Sequence, residues 1–170
     1  KGIEMRAVVT GIVLLSLTMI SQIAVAVDIH ELRSINQQVN LSYQRSNFHS
    51  DQRFFQSAVA KYNLVRQRFP DARMMIIHAK HITPSGFEIE PHTVIAVEAN
   101  DHLWILDNEL LNIYTAQERK DLKPITSIEL RNGQVWIHQN DCDWSIVSSQ
   151  LADSATEARL KSTFWKNMPG

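Results

Sequence analysis

The stretch His92-Thr-Val-Ile-Ala-Val-Glu-Ala-Asn-Asp-His-Leu-Trp-Ile-Leu-Asp107-Asn108 holds the residues best suited to chemistry. It reads as two apolar strands joined by an Asn-Asp turn, with a histidine opening the first strand and an aspartate closing the second. Antiparallel pairing would bring those two ends together at one edge of a sheet. A histidine held by a carboxylate is two thirds of a nucleophilic triad: a base, and the group that fixes its tautomer. The plainer alternative is a strand-end histidine and a turn aspartate whose side chain bonds local backbone. Spacing alone leans to the plainer reading, since a fold does not by itself imply a function.

Other reactive residue types form weaker patterns. His78 and His81 are three apart in a β-like segment, so they point to opposite faces and cannot share a metal without a bend. No HExxH motif or cysteine pair offers a third ligand, and no metal site is expected. His102 and His138 read as half-exposed strand residues. Cys142, in Asn140-Asp-Cys-Asp-Trp144, is flanked by two aspartates that favour the neutral thiol, and reads as a buried or incidental cysteine. Trp104, Trp136, Trp144 and Trp165 read as core and hairpin packing. There is no glycine-rich phosphate loop, G-x-S-x-G elbow or basic patch.

The elements that must position His92 and Asp107 follow from periodicity. Residues 29–44 place Ile29, Leu32, Ile35 and Val39 on one helical face. Residues 46–51 read as a loop. Residues 52–69 form a second helix with Phe54, Phe55, Ala58, Val59, Tyr62, Val65 and Phe69 on a broad apolar side, Asp51 as its N-cap and Pro70-Asp71 as its stop. Residues 72–82 turn β-like, and Pro84-Ser85-Gly86 is turn chemistry. Residues 92–98 and 102–106 are the two strands above, and residues 116–120 suggest a helical turn. Residues 125–130 and 134–138 flank Asn132-Gly133, a strong hairpin signal. After Asp143 the pattern weakens, and residues 155–167 suit a last amphipathic helix. The order is two helices, then an antiparallel meander of about five strands, an α+β layout.

The chain has 170 residues, 44% of them apolar and 21% charged, enough for one soluble core. Its net charge of −1, from 17 basic and 18 acidic residues, gives no reason to expect nucleic acid as a partner. Cys142 is the only cysteine, so an internal disulfide is impossible. Lys1 and Arg6, the apolar run from Ala7 to Ile20, and Ala24-Val25-Ala26 have the form of a secretory signal peptide cleaved after Ala26. The run is short for a membrane span. The expectation is a signal peptide over 1–26 and a single domain over 27–170, periplasmic or secreted, with no stable membrane span after cleavage.

Five further pieces, in order, carry a likeness: Glu31-Leu-Arg-Ser-Ile-Asn-Gln-Gln-Val-Asn40, Ala58-Val-Ala-Lys-Tyr62, His92-Thr-Val-Ile-Ala-Val97, Leu106-Asp-Asn108 and Arg119-Lys-Asp-Leu-Lys-Pro-Ile125. With these the chain resembles the bacterial transglutaminase-like cysteine proteinases, the LapG-like periplasmic enzymes that clip large surface adhesins. The resemblance implies a papain/transglutaminase-like fold, with N-terminal helices, one of them bearing the nucleophile, packed on an antiparallel β-sheet. It implies that His92 is the base and Asp107 its partner.

One departure from the family pattern bears on activity. The family's nucleophile stands in Gly-Asp-Cys-Glu-Asp-Tyr just before Ala-Ile-Ala-Lys-Tyr, and alignment on Ala58–Tyr62 puts Phe54 at the cysteine, with Phe55, Gln56 and Ser57 for Glu-Asp-Tyr. The acidic residues that help hold calcium in the family are missing, so no cofactor is expected. Without a reacting atom almost all covalent catalysis should be lost. The expectation is a pseudoenzyme that binds a peptide or adhesin segment, or an inner-membrane receptor. The alternative is an active cysteine or serine hydrolase using Cys142 or Ser57 with His92 and Asp107.

Overall fold

The computed structural model describes residues 26–44 and 50–164; the expected signal peptide up to residue 25, residues 46–49 of the expected loop and residues 165–167 of the expected last helix, Trp165 among them, lie outside the described residues. Among the described residues the chain is α+β, with three helices and one seven-stranded antiparallel sheet. Two helices come first, α1 (Ile29–Gln44) and α2 (Ser50–Arg68). The strands follow as β1 (Met74–Ile82), β2 (Glu88–Ala99), β3 (His102–Leu106), β4 (Tyr114–Thr115), β5 (Leu122–Arg131), β6 (Gln134–Asn140) and β7 (Ile146–Leu151), and α3 (Ser154–Phe164) closes the described chain. No helix among the described residues is long and apolar enough to cross a membrane.

Strand order is β4-β3-β2-β1-β5-β6-β7. The expected single meander is therefore two, fanning out on either side of a central β1. The chain reaches β4 at one edge, then crosses to β5 on the far side of β1, and the crossover carries residues 116–121. Two strands beyond the expected five account for the difference. β4 is only two residues long. β7 is exposed along its whole length, so it shows no in-out alternation to read.

Other boundaries moved by a few residues. β2 begins at Glu88, so His92 is its fifth residue and does not open it. Its first residues pair back across the Pro84–Gly86 turn onto β1, with Ile82 opposite Glu88 and His81 opposite Ile89. α2 begins at Ser50, so Asp51 lies in its first turn and is not the residue before it. The turns behaved as read. Asn100 and Asp101 both take positive φ (51° and 61°), as do Asn132 and Gly133 (51° and 73°), the pattern of a two-residue type I′ hairpin.

The sheet separates two apolar clusters. Leu32, Ile35 and Val39 of α1 and Ala58, Tyr62 and Val65 of α2 pack on one face with Met74, Ile76, Ile95, Val97 and Leu106. The other face buries Met75, Ile77, Ala79, Val94, Ala96 and Ile105 beneath Ala116 and Leu122 from the crossover and its far end. Burying one such side chain is worth about 1.5–3 kcal/mol, so these two stripes anchor the loops between them.

Candidate functional site

Register fixes where His92 lies. It pairs with Ala79, and the regular β1–β2 ladder from there to Val97 puts His92 on the face of Val94 and Ala96. β3 ends at Leu106, and the loop that leaves it brings Asp107 back to the imidazole. His92 Nε2 lies 3.2 Å from both Asp107 Oδ1 and Oδ2. The pair is sealed, with 3% of His92 and 1% of Asp107 exposed. With Nε2 turned to the carboxylate, the other ring nitrogen, Nδ1, is the one a triad would use as base. Asp107 meets His92 and a local backbone group together. Its Oδ1 also accepts the backbone N–H of Glu109 at 2.8 Å, the local turn bond of the plainer reading.

The crossover supplies a cation. Arg119 Nη1 donates to Asp107 Oδ2 at 2.6 Å, while its Nε and Nη2 donate to Asp121 at 2.9 and 2.7 Å. Burial would raise the Asp107 pKa, but the hydrogen bond and charge of His92, the charge of Arg119 and the Glu109 N–H override it. The carboxyl is held well below its ordinary range and stays ionised. Asp121 is lowered too, first by its hydrogen bonds from Arg119.

The helices hold the same loop from the other side. Lys61 of α2 is fully buried and donates to the Asp107 carbonyl at 2.7 Å and to Asn108 Oδ1 at 3.0 Å. Burial pulls its pKa down from 10.5 to about 7, against the attraction of Asp107. Asn40 of α1 donates from Nδ2 to the carbonyls of Asp107 and Leu110 at 2.8 and 2.7 Å, and Asn36 donates to those of Leu110 and Leu111 at 2.7 and 3.1 Å. Asn108 donates to the Thr93 carbonyl, tying the loop to β2. Each buried amide bond of this kind is worth about 1 kcal/mol made, and more when a partner is left bare.

A second histidine joins the first. His81, on β1 past a bulge, lies with its ring tilted 43° to that of His92 and 5.3 Å away between centroids. Its Nε2 lies 3.3 Å from Asp121 Oδ2 and its Nδ1 3.9 Å from Glu109 Oε2. Ligand atoms of His81, His92 and Glu109 all lie within 4.8 Å of one another. Sequence reasoning paired His81 with His78 and so missed this group. The signal was the Pro84–Gly86 turn, because a tight hairpin there sets His81 diagonally across from His92.

The other sequence candidates fall elsewhere. Cys142 is exposed in the turn between β6 and β7, not buried. β6 is three strands from β2, or about 14 Å at the usual strand spacing. Ser57 is buried and lies 3.4 Å from Asn40 Oδ1. His102 is exposed, but His138 is buried between Ser149 and Glu129, where a half-exposed residue was expected. Phe54 belongs to the first turns of α2, but its side chain lies outside the described residues. The described apolar stripe of α2 packs on the face of Ile95 and Val97, opposite the face of His92. No family model, curated protein or solved structure matches this chain.

Proposed function

We propose that the chain is a divergent, catalytically inactive relative of the transglutaminase-like cysteine proteinases that works by binding a peptide or a membrane receptor outside the cytoplasm. The supporting observation is a convergence. Each of the five sequence pieces that carry the resemblance contributes a residue to one loop, Asp107–Leu110. They are Asn40 from the first, Lys61 from the second, His92 from the third, Asp107 and Asn108 from the fourth, and Arg119 from the fifth.

The same geometry supports inactivity. A nucleophile must stand within about 3.2 Å of its base. Cys142 is exposed in the turn after β6, three strands from β2, and Ser57 bonds Asn40. Position 54, where the resemblance puts the sulfur, carries a phenylalanine with no lone pair to attack a carbonyl. Calcium does not fit either. Phe55 and Gln56 stand where the family has Glu and Asp, and Phe55 packs against the helix-side core. No step through calcium is assigned.

The test restores what is missing. A Phe54→Cys/Phe55→Glu/Gln56→Asp variant should cleave adhesin-type peptides in calcium while the native chain does not. Native cleavage that disappears in Ser57→Ala or Cys142→Ala would sink the reading and favour the hydrolase.

A further inference from the structure

We infer that His81, His92 and Glu109 form a site for a divalent transition metal of the zinc class. Two imidazoles and one carboxylate are the donor set that zinc takes in hydrolytic sites, with a fourth position left open to water. The inference goes beyond the peptide-binding reading and does not depend on it. It gives His92 a use that needs no nucleophile.

Distance is the first argument. The three ligand atoms already lie within 4.8 Å of one another. Tetrahedral zinc with bonds of about 2.1 Å needs donors roughly 3.4 Å apart, so the group must contract by about an ångström. Glu109 and His81 can supply that movement, with side chains 44% and 22% exposed. His92 is the fixed point.

The surrounding shell is the second argument. A metal-binding histidine usually gives its other N–H to a carboxylate, which sets the tautomer and aims the ring. Both histidines have that arrangement. His92 Nε2 faces Asp107 at 3.2 Å and His81 Nε2 faces Asp121 at 3.3 Å. Arg119 then bridges the two carboxylates, so both orienting groups are held by one guanidinium. Two histidines with matching backing and a shared lock are more than chance packing requires.

Charge is the third argument. Asp107, Asp121 and Glu109 bring three negative charges, against the cation Arg119 and the amine of Lys61. A dication beside them would neutralise the excess. Calcium and magnesium prefer oxygen ligands and would not select two imidazoles.

The experiment is zinc titration of the metal-free full chain by calorimetry, with circular dichroism to show that each variant is folded. The native chain should bind one equivalent with a dissociation constant of about 1 µM or lower, undisturbed by excess calcium. His81→Ala and Glu109→Gln, both at the surface, should each weaken binding by roughly 10-fold or more, and Asp121→Asn, a positioning residue, by roughly 10-fold. Absence of saturable binding, equal affinity in His81→Ala and Glu109→Gln, or displacement by calcium would overturn the inference. None of those results touches the peptide-cleavage test, which is read without zinc.

Discussion

Two chains of histidine, carboxylate and arginine lie on the sheet, and they are built differently. In one, Arg119 meets Asp107, which meets His92. In the other, Arg73 meets Glu129 at 2.9 Å, Glu129 meets His138 at 3.2 Å, and His138 meets Ser149 at 2.8 Å. The second is made almost wholly by strand register, since Glu129 and His138 lie on β5 and β6 and Ser149 pairs with His138 from β7. Its arginine is 40% exposed. The first draws on a strand, two loops and both N-terminal helices, and its arginine side chain is only 5% exposed. Register alone buries Glu129 and His138 but leaves the cation at the end of the chain, Arg73, where water can rescue it. Burying the cation and fixing the backbone beneath the acid makes the other one unforgiving.

That contrast predicts unequal costs. Asp107→Asn strands a buried guanidinium and should destabilise the chain by about 3–5 kcal/mol in urea unfolding. Glu129→Gln should cost only about 1–2 kcal/mol, because the solvent can take up Arg73. Equal losses would erase the distinction.

Lys61 gives a pH test of the same difference. Its folded pKa of about 7 lies below its ordinary 10.5, so between those values the unfolded chain holds more protons than the folded one. Stability should therefore rise with pH from about 7 towards 10, with a slope of at most about 1.4 kcal/mol per unit. The rise should be missing in Lys61→Met, and unfolding free energies at several pH values would show it. Arg73, on the other chain, has its pKa raised, chiefly by its hydrogen bonds to Glu129, and stays charged throughout. The smallest effect is expected at the outer link. Ser149→Ala should change stability by about 0.5 kcal/mol, since its hydroxyl sits on an exposed edge strand.

The sequence disclosed the parts of this site that local rules govern. The Asn100-Asp101 turn fixes the β2–β3 register, and register brings Asp107 to His92. Helix periodicity found Leu32, Ile35 and Val39, but the same stripe carries Asn36 and Asn40, whose purpose depends on a distant loop. Lys61 lies between Ala58 and Val65 on the apolar face of α2, a misplaced charge that could have been noticed. The places of Arg119 and Asp121 were out of reach because the β4-to-β5 crossover decides them, and that of Glu109 because the irregular loop after β3 does; nothing local announces either path. β7 was hidden for a different reason. Ile146, Val147 and Leu151 are all exposed, so burial left no pattern in them.

The asparagines of α1 carry a consequence for how the molecule is assembled. Asn40 reaches carbonyls 67 and 70 residues further along the chain. During synthesis α1 and α2 emerge long before that loop exists, and their buried amides and amine have nothing to grip. Closing so long a span is entropically costly and slow, so the two helices must wait, partly solvated, until β3 is in place. The His92–Asp107 corner of this protein is then a late product of its own biogenesis, and a ribosome-bound fragment stopping short of Leu110 would lack it entirely.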